Sequence, residues 1–312
     1  MRADTAVLRI NTTLGNMKIT TYNIDGLPET LDLKTLPWIL RPIAWLYKWF
    51  KGTTIITLND NSGRAEATVK IGQSLRDTDI AVFQEDFNYH NELCSNMPDR
   101  NWGTFQGPID LSKIFSMVKG LRWKADGLGL ALSTKMSIYS EDMVEWKDSC
   151  GYFSHFNDKL TRKGFRRYCI CPEANSFANR FVIYVVHNDA SAYNPDPKDV
   201  EARRKQFAQL VDYIKNNETY LPLIIIGDTN CTTLPVDQDT IKECLITPLQ
   251  EAGYDVSEAL PNEDVDRIFV ANHYSCKPPY KIVINSSSRG TFDLSDHSPF
   301  TIDFDIIPLN WG

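Results

Sequence analysis

Residues 221–230 read LPLIIIGDTN. Pro222 marks an entry, Leu223, Ile224, Ile225 and Ile226 form an unbroken apolar run, and Gly227 closes it. A run apolar on both faces fits a central strand covered on both sides. Directly beyond it stand Asp228 and Asn230, in a turn that Gly227 lets the chain make sharply. In sheets with covered faces, ligand chemistry collects just past the carboxyl ends of strands. Taken alone, the pair also reads as a plain turn closing a core strand, because Asp and Asn are common turn formers. What favours the functional reading is that other strands end in the same way.

Residues 181–189, FVIYVVHND, likewise run from an apolar strand into His187, Asn188 and Asp189. Residues 79–86, DIAVFQED, deliver Glu85 to the mouth of a core strand, where a carboxylate has to be solvated, paired or bound to a cation. Residues 17–25, MKITTYNID, end at Asn23 and Asp25. Near the C-terminal end, DVDRIFV (264–270) puts Asp266 ahead of an apolar strand. LSDHSPFTIDF (294–304) puts Asp296 and His297 ahead of one alternating Phe300, Ile302 and Phe304. A pair at the start of a strand reaches the same sheet edge when that strand runs opposite to its neighbours. Between these strands, Asp196 and Pro197 cap a helix reaching about 216, with Val200, Phe207, Leu210, Val211 and Ile214 as the stripe facing the sheet. A second helical stretch covers 239–252. The glycines of DGLGLALS (126–133) mark a strand whose backbone lies close to another group.

The chain of 312 residues is 42% hydrophobic and 23% charged, an ordinary globular composition with ample core material. Its formal net charge of -7 disfavours a broad non-specific grip on nucleic acid or anionic lipid. Seven cysteines, without CxxC spacing, read as reduced or buried thiols rather than a disulfide framework or zinc site, with Cys169 and Cys171 on one face of a strand. No apolar run has spanning length and no signal peptide stands at the start, so a soluble chain is expected; a trimmed secretion signal leaves the compartment open.

Residues 31–70 read as an insertion in a single domain spanning 1–312. Its first part, LPWILRPIAWLYKWF (36–50), is either a short helix packed over the core or an interfacial helix or lid, with Trp38, Trp45 and Trp49 offering peripheral membrane contact. Residues 52–70 read as a polar hairpin turning at 59–63. The cluster KLTRKGFRR (159–167) reads mostly as a solvated charge run, from which Lys163 is the candidate to reach an anionic substrate. Asn88, Tyr89 and His90 read as pocket wall or surface without a role.

Asn23, Glu85, His187, Asp228, Asn230, Asp266, Asp296 and His297 thus lie beside apolar strands and are expected on one rim. Carboxylates gathered in one cleft repel unless a cation or proton intervenes. Oxygen-rich ligands suit Mg²⁺ or Mn²⁺, which polarise phosphoryl oxygens and help generate hydroxide, while histidines and amides stabilise developing negative charge. The chemistry is metal-assisted phosphate-ester hydrolysis. A structural ion site is the competing reading, but it needs fewer polar groups.

The ordered set TYNIDG, FQED, VVHNDA, IIIGDTN, VDRIFV and SDHSPF resembles the endonuclease/exonuclease/phosphatase superfamily. The resemblance runs from about residue 17 to 305. It implies an α/β four-layered sandwich, DNase I-like, in which two packed and mostly antiparallel β-sheets are flanked by helices. It also implies a divalent-metal phosphohydrolase, here read as a phosphodiesterase. By the same resemblance Glu85 is the principal Mg²⁺ ligand, with Asn23 and Asp296 supporting and Asp25 assisting. Asp228 orients or deprotonates the attacking water, and Asn230 positions phosphate or nucleophile. His297 contacts phosphate, Asp266 holds its ring, and His187 is a candidate acid for the leaving oxygen. Lys163, Gly164 and Phe165 resemble a short segment of bacterial sphingomyelinases, whereas NIDGL resembles DNA-processing members. Nucleic acid and phospholipid therefore both stand as substrates, for a chain expected to be a monomer. An inositol-phosphate phosphatase and a non-catalytic binding or effector protein on this scaffold remain the alternatives.

Overall fold

The computed structural model describes residues 14–25, 29–32, 42, 45, 55–58, 62–87, 89–105, 109–110, 122–123, 128–148, 164–172, 179–190, 197–218, 220–261, 264–276, 280–291 and 294–309. Through the first half the elements are β1 (Leu14–Asn23), β2 (Glu29–Asp32), β3 (Ile55–Leu58), α1 (Ser62–Ser74), β4 (Ile80–Gln84), α2 (His90–Ser95), β5 (Asn101–Trp102), β6 (Ile109–Asp110), β7 (Arg122–Trp123), β8 (Ala131–Thr134) and β9 (Ser137–Glu145). The second half holds β10 (Gly164–Cys171), β11 (Phe181–His187), α3 (Pro197–Asn217), β12 (Leu223–Asp228), α4 (Pro235–Ile241) and α5 (Thr247–Glu251). It continues with β13 (Tyr254–Glu258), β14 (Asp266–His273), β15 (Tyr280–Arg289) and β16 (Phe300–Pro308).

Two six-stranded sheets result, ordered β15-β16-β1-β4-β8-β5 and β13-β14-β12-β11-β10-β9. Each is antiparallel apart from one parallel pair at its middle, β1 with β4 and β11 with β12. The unbroken apolar run of β12 has the cause inferred for it. Ile224 and Ile226 enter the core between the sheets, while Leu223 and Ile225 enter the one under the helices. β11 divides likewise, with Ile183 and Val185 inward and Tyr184 and Val186 outward. On the first sheet Ile80 and Val82 face the opposite sheet, while Ala81 and Phe83 join Ile71 of α1, Leu75 just beyond it and Leu93 of α2. Three apolar interfaces separate four layers: helices, sheet, sheet, helices.

The α3 stripe is as expected, with Val200, Phe207, Leu210, Val211 and Ile214 all buried. Asp196, its expected cap, lies outside the described residues. A buried ion pair from α3, Arg203 to Asp237 at 2.7 Å, ties it to α4. The second helical stretch begins earlier than expected, at Pro235, and passes through a π-helical turn at Lys242–Ile246.

Two local readings need correction. The hairpin expected over 52–70 is instead strand β3, paired antiparallel with β2, followed by helix α1 from Ser62. Thr68, Ile71 and Gly72 are its buried positions, continued by Leu75 just past its end, a helical repeat hidden by polar neighbours. Gly72 has a steric role, since a Cβ there would lie 3.0 Å from Asn96 Cβ and 3.2 Å from the Leu93 carbonyl of α2. The charge run at 159–167 does not stay in solvent over its described part. Gly164–Cys171 is strand β10, where Arg166 is buried and donates to the Leu130 carbonyl, and Arg167 pairs with Glu218 at 2.5 Å. Antiparallel pairing on both sides forces these arginines into the sheet, and their charge is answered by partners distant in sequence. Of the two readings of Tyr89, pocket wall or surface, its burial excludes the surface one. Strands β9, β13 and β15 carry too little apolar periodicity to stand out; they lie at or beside the sheet edges.

Cys169, Cys171 and Cys231 are buried free thiols. Among the described residues no helix is long and apolar enough to cross a membrane.

Candidate active site

The two parallel pairs carry their carboxyl ends to one rim. In the second sheet, register sets His187 beside Asp228, and antiparallel β14 sets Asp266 on the other side of Asp228. In the first sheet, Asn23 pairs in register with Gln84, so Glu85 follows immediately beyond it. Packing of the two sheets then closes the gap between rims. Asn23 Nδ2 donates to Asp228 Oδ2 at 3.1 Å across the interface.

Around that contact the polar groups are close-set. His187 Nε2 lies 3.5 Å from Asp228 Oδ2 and 3.8 Å from Glu85 Oε1. His297 Nε2 lies 3.9 Å from Asp228 Oδ2 and 3.4 Å from Asn23 Nδ2. On its other side, His297 Nδ1 donates to Asp266 Oδ2 at 2.7 Å. Asn23, His187, Asp228 and Asp266 are buried, Glu85 is 9% exposed, and His297 is half-buried. Burial works against a charged His297, but its bond to Asp266 and the surrounding carboxylates Asp228, Asp266 and Asp296 outweigh it and raise its pKa. Complete burial raises that of Asp266, with help from Asp228 and against the His297 bond.

The backbone is strained where the site lies. Asp25 (φ 45°), Glu85 (φ 58°) and Asn230 (φ 51°) all take left-handed conformations just past their strand ends. Such geometry costs a non-glycine residue about 1–3 kcal/mol and tends to gather at functional sites. Gly227 solves a different problem. It has φ 138°, and a Cβ there would stand 2.2 Å from the Val186 carbonyl and 3.1 Å from Gln84 Nε2.

Asn230 is locked to the rim, its N–H donating to Asp228 Oδ1 and its side-chain Nδ2 to the Asn188 carbonyl, both at 2.9 Å. Asp296 is exposed and joins less directly. Ser295 Oγ lies 3.3 Å from Asp296 Oδ1 and donates to the Asn23 carbonyl at 2.7 Å. Asp25 turns away to an ion pair with Arg64 of α1. Lys163, Trp38 and Trp49 lie outside the described residues, and Trp45 is exposed.

Several supports carried no sequence signal. Trp146 Nε1 donates to the His187 carbonyl at 2.8 Å, and Arg289 Nη2 to the Asp266 carbonyl at 2.7 Å. Both come from distant strands or their ends, and neither sits in a motif. Ser295 was visible inside SDH, but its service to Asn23 spans 272 residues.

The donor set fits a hard divalent cation. Glu85 and Asp228 are buried carboxylates facing the same imidazole nitrogen. Asn23 points Nδ2 at Asp228 and accepts from the Asp25 N–H with Oδ1, whose second lone pair is open to a cation. Oxygen donors of this kind suit Mg²⁺ or Mn²⁺. The described acid and imidazole atoms of Asp228, Asp266 and His297 also lie within 4.8 Å of one another. Because the Asp266–His297 hydrogen bond already occupies Nδ1, that second group reads better as a proton-holding chain than as a cation cage.

No family model and no curated protein matches the chain. Solved structures do. Sphingomyelinase C from Streptomyces griseocarneus is 16% identical, with TM-score 0.55, over 92% of this chain and 99% of its own. A mutant beta toxin of Staphylococcus aureus with bound magnesium ions is 18% identical, with TM-score 0.56, over 92% and 99%. D. rerio TDP2 complexed with a single-strand DNA product is 13% identical, with TM-score 0.55, over 93% and 98%. The chain has the DNase I-like fold shared by these structures and by endonuclease/exonuclease/phosphatase proteins.

Proposed function

We propose that this chain is a divalent-metal-dependent phosphodiesterase whose substrate is a phospholipid or nucleic acid. The observation that carries the reading is the meeting of Asn23, Glu85, His187, Asp228, Asp266 and His297 at one rim, drawn from both sheets. Neighbours of the same fold include a sphingomyelinase and a protein complexed with a DNA product, which supports a phosphate-ester substrate.

Glu85 and Asn23 would hold Mg²⁺, with Asp296 supporting from the exposed side; Mn²⁺ suits the same donors. When bound, such an ion neutralises phosphoryl oxygens and lowers the cost of generating hydroxide. Asp228 then accepts the proton of the attacking water, and Asn230 positions water or phosphate. His297, kept charged by Asp266, donates to a non-bridging phosphoryl oxygen. His187 supplies the proton to the departing oxygen. Positioning and charge carry most of such a reaction.

Lys163 is proposed to reach substrate phosphate, and Trp38, Trp45 and Trp49 to touch a lipid surface. The exposure of Trp45, 67%, supports the second idea. Turnover with Mg²⁺ should be measured on bis-p-nitrophenyl phosphate, plasmid DNA, sphingomyelin and inositol phosphates. His297→Ala and Asp228→Ala should each lower phosphodiester turnover by roughly a hundredfold to ten-thousandfold. Inertness of the parent protein towards all four would leave a binding scaffold. Deleting residues 38–50 should abolish liposome association and spare small-substrate turnover; persistent liposome binding would remove the lipid contact.

A further inference from the structure

One residue beyond Glu85, the chain builds a second polar cluster, made of Asp86, His90 and Cys94. Asp86 is fully buried, and its Oδ2 accepts from His90 Nδ1 at 2.5 Å. His90 Nε2 lies 3.2 Å from Cys94 Sγ, one helical turn further along α2. The ring is clamped between aromatic neighbours: it stacks on Phe105, with centroids 3.7 Å apart and planes within 1°, and meets Trp102 edge-on at 5.1 Å. Cys94 itself is half-buried.

We propose that Cys94 is a reactive thiol, a site of covalent modification by low-molecular-weight disulfides, with His90 activating its sulfur and Asp86 orienting His90. The arrangement meets the requirement for an activated nucleophile: a sulfur beside an imidazole that can carry charge, held in turn by a third group. It does not suit a metal ion, because both ring nitrogens of one imidazole are committed on opposite sides, one to the carboxylate and one to the sulfur. Burial works against charge on His90, but the bonds to Asp86 and Cys94 outweigh it and push its pKa up to about 9. At neutral pH the ring therefore donates from both nitrogens and stabilises negative charge on sulfur. Asp86 Oδ1 is buried and has no hydrogen-bond partner among the described residues, so Oδ2 alone holds the ring.

In the exchange, the Cys94 sulfur attacks one sulfur of the disulfide and forms a mixed disulfide. The original S–S bond breaks, and the departing thiolate takes a proton from solvent, matching the one Cys94 gave up to solvent on becoming a thiolate beside the charged His90 ring. Cys94 is oxidised, and the small disulfide is reduced by the same two electrons.

Cys244 is the internal control. It is also half-buried, lies beside Arg204 and Glu243, and has a pKa raised by burial. Labelling of the full chain with iodoacetamide or oxidised glutathione, followed site by site by mass spectrometry, reads both cysteines in one sample. At about pH 7, Cys94 should react at least roughly tenfold faster than Cys244. His90→Gln should slow Cys94 by a similar factor and leave Cys244 unchanged. Simple loosening of the short helix would speed Cys94, so a fall in rate isolates activation from exposure. Should Cys94 react no faster than Cys244, or keep its rate in His90→Gln, the assignment is wrong. Phosphodiester turnover does not enter this test, so the proposal stands or falls apart from the activity proposed above.

Discussion

His297 and Asp266 meet at 2.7 Å, Nδ1 to Oδ2, although 31 residues separate them. Asp266 opens β14 opposite Asp228, so a single strand register places one carboxylate behind the imidazole and another 3.9 Å in front of it. Asp266→Asn keeps the size of the side chain and removes its charge. Turnover of bis-p-nitrophenyl phosphate should fall roughly a hundredfold to ten-thousandfold, with the thermal midpoint little changed. Full activity in this variant would mean that the pair serves packing alone.

Glu85 tests the cation. Its carboxylate stands 3.8 Å from His187 Nε2 at a strained turn, beside Asp228 and Asn23. Mg²⁺ that binds the folded chain stabilises it by mass action, about 2.7 kcal/mol at a hundredfold excess over Kd. Glu85→Gln should abolish most of that Mg²⁺-induced thermal shift. An undiminished shift would move the cation elsewhere.

Gly227 is a prediction about fold rather than chemistry. Its φ of 138° and the 2.2 Å approach of a Cβ to the Val186 carbonyl leave no room for alanine. The obstructing atom is backbone of the paired strand, so relief means prising β12 from β11. Gly227→Ala should cost roughly 2–4 kcal/mol in urea unfolding. A loss under about 0.5 kcal/mol, the scale of an ordinary surface change, would contradict this.

The Asp86–His90 bond makes stability depend on pH. Folding raises the His90 pKa from 6.5 to about 9, so the folded chain holds that proton more tightly than the unfolded one. The contribution is complete below about pH 6.5, declines as pH rises, and is gone above about pH 9. His90→Gln should flatten this part of the pH profile in urea-unfolding midpoints. A wild-type profile no steeper than the variant's over that window would show that the bond contributes no such linkage.

Much of this was legible in sequence because it is local. The run at Leu223–Asp228 had to be covered on both faces, and only a strand between two apolar layers satisfies that. Polar residues at the ends of such strands were visible one motif at a time, and their order carried the resemblance to a fold. The helix at Ser62 and the strand at Gly164 were not legible in the same way. Their charged residues are neutralised by partners such as Glu218, which no local pattern reveals.

The chain by itself determined which residues could do chemistry and that each would stand at a strand end, since side-chain alternation and turn propensity act over a few residues. Tertiary structure decided which of them meet. Asn23 touches Asp228 across 205 residues because two sheets pack face to face, and Trp146 and Arg289 became supports only through that packing. Contacts between sheets depend on the registers of several strands together, and no short stretch of sequence encodes that sum.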